Sequence, residues 1–267
     1  MKNAIDTALQ KTQEGKKKAL IAYVTGGYPS FDQMNKILDS LKKGGVDIVE
    51  IGVPFSDPIA DGPTIQLSSQ EALKKKTSLQ KILEWLKSYN EKCSLPIIIM
   101  SYLNPIWKYG LPRFAKEAQR SGVSGVIIPD LIPEESLEME QLFRRHKIHL
   151  IYLLAPTTPS HRQRAIAKRS GGFLYAVSVT GVTGARKDYA PETKLWLKRL
   201  SHLTKRPICV GFGISGPRQI RQLKPYVNGF IVGSALIEQI RKNPRGLIGK
   251  RVHKFISSLA KECNHAS

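Results

Sequence analysis

The stretch from Asp47 to Gln66 reads DIVEIGVPFSDPIADGPTIQ. Its first half is apolar at almost every position rather than at every second one, which is the pattern of a strand buried on both faces. Its second half is dense in Pro, Gly and Asp, residues that favour turns and loops. A strand covered on both faces pairs in parallel with its neighbours and carries helices above and below, so this stretch specifies a strand followed by a long loop.

Seven more runs of the same kind lie on either side: ALIAYVTGG from Ala19, PIIIMSY from Pro96, GVIIPD from Gly125, HLIYLLAP from His149, FLYAVSV from Phe173, PICVGFG from Pro207 and GFIVGSA from Gly229. Helix-like segments separate them: Asp32–Lys43, Leu79–Lys92, Leu111–Arg120, Pro133–Arg145, Ser160–Arg169, Pro191–Leu203, Ser215–Leu223 and Ala235–Ala260. Most strand starts recur at roughly 22 to 34 residues, the length of a short strand plus a covering helix, and the third comes later because an extended loop follows the second. Eight βα units without a linker or low-complexity tract predict one α/β domain over residues 1–267, a (β/α)8 TIM barrel with an extra N-terminal helix. A doubly wound open sheet is the alternative, but TGGYPS follows the first strand where a dinucleotide fold usually shows G-x-G-x-x-G.

Composition narrows the class. At 267 residues and 41% hydrophobic content the chain can bury a sizeable core, which excludes intrinsic disorder. Lys and Arg number 42 against 21 Asp and Glu, a net charge of +21 that invites a nucleic-acid or anionic-surface function. The basic residues are spread through helices, as in Lys74–Lys81, Leu142–Lys147 and His161–Arg169, without an aromatic stacking platform. They are read as a solvated surface that steers anions, and no nucleic-acid partner is expected. Three Cys without metal-ligand spacing exclude a disulfide framework. The N-terminus has no apolar signal segment, and no run approaches the ~18 apolar residues of a membrane span, so a cytoplasmic chain with no membrane partner is expected.

In a barrel of this kind chemistry belongs at the C-terminal ends of the strands. Glu50 stands inside an apolar strand, where an ionised carboxylate needs a basic partner or backbone hydrogen bonds unless its perturbed state is functional. Asp57 and Asp61 occupy the loop beyond, either as turn residues or as chemistry. The last three strand ends become glycine-rich, GVTGAR at Gly181–Arg186, VGFGIS at Val210–Ser215 and IVGSA at Ile231–Ala235. Such ends let backbone N–H groups approach an anion beside a helix N-terminus, and three together favour a phosphorylated substrate. None of the six His pairs as H-x-H at a strand end, and no strand ends in Lys, which disfavours a metal-dependent or Schiff-base aldolase. Lys108 and Lys187 sit in loops. Glu50, Asp61 and Asp130, the last at the end of strand four, remain for proton transfer.

The order VEIGVPFSDPIADGP, MSYLNP, PDLIPEE, LLAPTTP, VTGVTGAR, VGFGIS, VGSA resembles the tryptophan synthase α subunit family over nearly the whole chain. The resemblance implies a barrel lyase that cleaves indole-3-glycerol phosphate to indole and glyceraldehyde 3-phosphate. It implies a β-subunit partner in an αββα heterotetramer, with pyridoxal phosphate (PLP) on that partner, where indole is joined to L-serine, and no cofactor on this chain. By motif, Glu50 matches the family's acid/base and Asp61 the carboxylate that accepts the indole N–H. Gly184, Gly213, Gly233 and Ser234 fall at the phosphate and Tyr175 near the glycerol phosphate. Tyr23, Ile65, Tyr102 and Phe212 fall around the indole, and Thr183 meets Asp61 when the loops close. Pro54, Asp57 and Asn104 face the β partner. Tyr28, Ile132 and Asn228 depart from the family's usual Asp, Pro and Asp. A catalytically quiet activator of the β chain and a stand-alone indole-releasing lyase are the functional alternatives.

Overall fold

Side chains alternate along a strand even when both faces are covered, so in a closed sheet one parity fills the interior and the other meets the helices. The computed structural model, which describes residues 2–90, 95–177, 189–211, 213–242 and 246–264, sorts the apolar runs in this way. Ile21, Ile48, Ile98, Ile127, Ile151, Phe173, Cys209 and Ile231 form one buried cluster inside the sheet. Their strand neighbours Leu20, Val49, Ile99, Val126, Leu150, Leu174, Val210 and Phe230 belong to a second, larger cluster beneath the helices.

Nine strands are found among the described residues: β1 (Ala19–Thr25), β2 (Ile48–Gly52), β3 (Ile97–Met100), β4 (Val123–Ile127), β5 (His149–Ile151), β6 (Leu153–Leu154), β7 (Leu174–Ala176), β8 (Ile208–Val210) and β9 (Gly229–Val232). They pair in parallel in the order β5-β4-β3-β2-β1-β9-β8-β7-β6. The two ends of this order are halves of one extended segment interrupted at Tyr152, whose carbonyl accepts from Tyr175 N–H at 3.1 Å. The sheet therefore closes on itself, and the (β/α)8 barrel is confirmed, with the fifth strand present as β5 and β6.

The extra N-terminal helix, α1 (Ala4–Glu14), lies across the N-terminal end of the barrel. Asn3 caps it by accepting from Ile5 N–H at 3.0 Å, while Asp6 accepts from Asn3 N–H at 2.8 Å, a reciprocal box that satisfies two free donors. Asn3 Nδ2 also donates to the carbonyls of Ser124 at 2.7 Å and Lys147 at 3.0 Å, fixing the helix to β4 and to the approach of β5. Ile5 and Leu9 point into the interior cluster and close its floor.

Most covering helices follow the sequence reading: α2 (Phe31–Gly44), α4 (Leu79–Asn90), α6 (Leu111–Arg120), α7 (Leu137–Arg145), α8 (Ser160–Arg169), α9 (Pro191–Leu203) and α10 (Pro217–Leu223). Two helices fall where none was expected. The loop after β2 ends at Gly62, and α3 (Pro63–Lys74) follows it with a buried face made largely of small residues, Ile65, Ser68, Ser69 and Ala72, which gives little apolar periodicity. After β3 comes the short α5 (Leu103–Tyr109), with only Ile106 buried. The single helix expected over Ala235–Ala260 is two, α11 (Ser234–Arg241) and α12 (Ile248–Asn264), with Gly246 at φ +83° before the second. Asn228 keeps the role of an acceptor where the family resemblance suggests Asp, its Oδ1 taking the Ile208 N–H at 2.9 Å.

Ile5 is fully buried in the floor of the barrel. Ile5→Ala is expected to lower unfolding free energy by about 2–5 kcal/mol in urea denaturation; a loss below about 1 kcal/mol would show that α1 is not part of the core.

Candidate active site

Glu50 lies one inward position above Ile48 on β2, in register with Tyr23 of β1 and Ile98 of β3. It is completely buried, and neither carboxylate oxygen has a hydrogen-bond partner among the described residues. Neither form of compensation considered from sequence, a basic partner or backbone donors, is supplied by the described residues. Burial, reinforced by the charge of Asp61, pushes the Glu50 carboxyl up to about 8. Ionising it there costs on the order of 5 kcal/mol more than in water, so the proton stays on at neutral pH.

Asp61 is brought to the same place by the loop after β2. Its carboxyl is pushed up only to about 6, because burial is opposed by a hydrogen bond from Tyr102. Tyr102 follows β3 and accepts from Ala60 N–H at 2.9 Å while its own hydroxyl faces Asp61. Its ring lies against Phe55 with centroids 5.1 Å apart. One tyrosine thus fastens both ends of the loop to the rim of the barrel and sets the ionisation of its aspartate.

Two further tyrosines frame Glu50. Tyr23 and Tyr175 are buried, and burial together with the nearby carboxylates holds both phenols neutral well beyond physiological pH. Each occupies space that a glycine leaves open: a Cβ on Gly52 would stand 2.0 Å from Tyr23 Oη, and one on Gly211 would stand 2.2 Å from Tyr175 Cε1. Tyr23 bonds to Thr25, whose Oγ1 is 2.6 Å from Ser68 Oγ, and Ser68 donates to the Ile65 carbonyl at 2.8 Å. This chain anchors the first turn of α3, with Ile65 buried beside it. The two glycines were not singled out in the sequence. They lie on the inward parity of their runs, two residues beyond Glu50 and Cys209, and that register is the signal that finds them.

At the other side of the mouth, Gly213 has φ +64°, and Gly233 precedes α11, which begins at Ser234. The N–H groups of Leu236 and Ile237 donate to the Gly233 carbonyl at 2.8 and 3.0 Å, which leaves those of Ser234 and Ala235 at the start of α11 for an anion. Thr183, Gly184 and Phe212 lie outside the described residues. Asp130, the third carboxylate considered, accepts from Leu103 N–H at 2.9 Å and so caps the start of α5. Among the described residues no group of three or more His, Cys, Asp and Glu is placed to hold a metal ion.

Of the residues expected to face a partner, Asp57 and Asn104 are exposed and Pro54 is buried. Large apolar side chains also stand in solvent: Ile59 is 84% exposed, Trp107 68% and Ile132 43%. All three are on segments that follow β2, β3 and β4, at the same end of the barrel as Glu50.

The tryptophan synthase alpha chain family model matches residues 9–265. A tryptophan synthase alpha chain of Geotalea daltonii is 42% identical over 255 residues, 96% of this chain and 95% of that one. That of Caldanaerobacter subterraneus is 41% identical over 258 residues, covering 96% and 98%. Among solved structures, tryptophan synthase subunit alpha from Legionella pneumophila superposes with a TM-score of 0.91 at 33% identity over 99% of each chain. A closed barrel with a buried acid at its mouth, matched from end to end in sequence and in fold, places this chain in the tryptophan synthase alpha chain family, the lyases that cleave indole-3-glycerol phosphate.

Proposed function

We propose that Glu50 and Asp61 carry out the cleavage as two carboxylates in opposite ionisation states. The observation that supports this is the separation of their acidities, about 8 for Glu50 and about 6 for Asp61, so that at pH 7 the first is an acid and the second an anion. Glu50 gives its proton to C3 of the indole ring, making a cationic indoleninium. Asp61 accepts the ring N–H and stabilises that charge. Glu50, now a carboxylate, takes the proton of the glycerol hydroxyl; the carbon–oxygen double bond forms, the carbon–carbon bond breaks, and its electron pair returns to the ring. Indole and glyceraldehyde 3-phosphate result, and Glu50 ends protonated as it began. Tyr23, Ile65, Tyr102 and Phe212 enclose the ring, Tyr175 stands by the glycerol phosphate, and Gly184, Gly213, Gly233 and Ser234 hold the phosphate. Thr183 engages Asp61 as the loops close.

The remainder of the proposal concerns context. The residues 1–267 act as one barrel domain, cytoplasmic, with no cofactor of its own. The partner is a tryptophan synthase β subunit carrying pyridoxal phosphate, in an αββα assembly, which receives indole for condensation with L-serine. The apolar side chains of Ile59, Trp107 and Ile132, with Asp57 and Asn104, form the surface it covers, and the buried Pro54 supports the loop behind it.

Glu50→Gln is expected to reduce indole release by about 10²–10⁴-fold, with and without a β subunit. Release equal to wild type in both conditions would remove Glu50 from the chemistry, and a folded wild type with no release would favour the quiet activator. The pH profile of kcat/KM should fall below about 6 as Asp61 takes a proton and above about 8 as Glu50 loses one. Asp61→Asn should remove the acidic limb and move the basic limb to lower pH, since the charge that raises Glu50 is gone; a profile without either limb would contradict the assignment.

Stability carries the same sign in reverse. Unfolded Glu50 ionises near 4.5 and folded Glu50 near 8, so the folded state loses stability as pH rises between these values. Glu50→Gln should therefore raise Tm at pH 8 more than at pH 5, and equal shifts at both would count against a proton held on the native side chain.

A further inference from the structure

A second cleft lies at the opposite end of the barrel, between α1, α8 and the connection from α9 to β8, with a volume of about 610 Å³. Gly172 and Pro207, which precede β7 and β8, line it, so it opens on the N-terminal side of the strands, away from Glu50. Its size falls within the roughly 300–1,000 Å³ typical of small-molecule sites. Four cations, Arg164, Lys168, Lys205 and Arg206, line it against one carboxylate, Asp6. That carboxylate is already engaged by Asn3 N–H at 2.8 Å and by His149 Nε2 at 2.6 Å. None of the four cations makes a salt bridge to an acidic side chain among the described residues.

Arg164 and Lys168 stand four residues apart on α8, the spacing at which like charges repel, and the consecutive Lys205 and Arg206 line the same cleft. The turn that carries them is held by a bond from Arg206 N–H to Thr204 Oγ1 at 3.0 Å. A concave surface focuses the field of like charges, and an anion bound there relieves their repulsion. The half-buried Leu203 gives the cleft an apolar wall against which an organic body can lie.

We propose that this cleft binds a small polyphosphate ester of nucleotide size, its phosphates between α8 and the Lys205–Arg206 turn and its ring on Leu203. The site is separate from the one that cleaves indole-3-glycerol phosphate and does not depend on how that reaction proceeds.

Calorimetric titration of the full chain with ATP at physiological ionic strength, in the presence of saturating glycerol 3-phosphate to fill the phosphate site at the other end, tests the proposal. One-to-one binding is expected, weakened at least tenfold in Lys168→Glu/Lys205→Glu. It should change less than twofold in Lys81→Glu/Lys116→Glu, which alters net charge equally on exposed helix surfaces elsewhere. No binding, binding abolished by glycerol 3-phosphate, or equal weakening in both double variants would overturn it, the last by reducing the effect to the overall charge of the chain. Inorganic triphosphate should bind at least threefold more weakly than ATP, and equal affinity would overturn the role assigned to the apolar wall.

Discussion

The burial of Glu50 with no compensating charge among the described residues is the constraint around which the mouth of this barrel is arranged. A carboxyl group in that position is stable only while protonated, and the structure surrounds it with neutral groups: the phenols of Tyr23 and Tyr175 and the apolar layer beneath it. The negative charge held close by is that of Asp61, which raises Glu50 further. Asp61 can remain ionised because Tyr102 gives it a hydrogen bond and the loop leaves it partly exposed. Difference in environment, rather than difference in residue type, separates an acid from an anion.

The barrel supplies that difference through register. Inward positions follow one another every second residue, so Ile48, Glu50 and Gly52 form a column on β2 from core to mouth, and Cys209 of β8 and Gly211 just beyond it do the same. The lower layers are apolar and closed from below by Ile5 and Leu9 of α1; the upper layer is where glycines make room for tyrosine rings. A side chain one layer lower, at Ile48, lies in the closed apolar cluster, and one a layer higher, at Gly52, would collide with Tyr23. Chemistry at the C-terminal rim is therefore matched by a stabilising plug at the other end, the division of labour expected of this fold.

Much of this was legible in the sequence. Eight apolar runs gave the barrel, the carboxylate inside one of them stood out as a group in the wrong solvent, and the family motifs pointed to Asp61 and Tyr102. What was not legible has physical reasons. The buried face of α3 is built of serines and alanine, which carry no apolar periodicity, so the helix was hidden in what read as loop. Asp130 looked like a third acid because sequence cannot show that its oxygen is taken by the Leu103 N–H. Gly52 and Gly211 matter through the rings that fill their vacant Cβ positions; parity marks them as inward-facing, but which ring fills each place is a contact between strands that sequence does not show. The cleft at the far end combines three segments distant in sequence, and its cations read there only as part of a basic surface.

The protonation state of Glu50 can be observed directly. Carbon-13 NMR of the side-chain carboxyls in glutamate-labelled protein, with the resonance assigned by its loss in Glu50→Gln, follows that single group through a pH titration. Burial and the neighbouring Asp61 predict a carboxyl that is still protonated at pH 7 and titrates at about 8. A resonance that titrates near the ordinary 4.5 would mean that Glu50 is ionised in the folded chain at neutral pH, and would contradict the role of proton donor proposed for it.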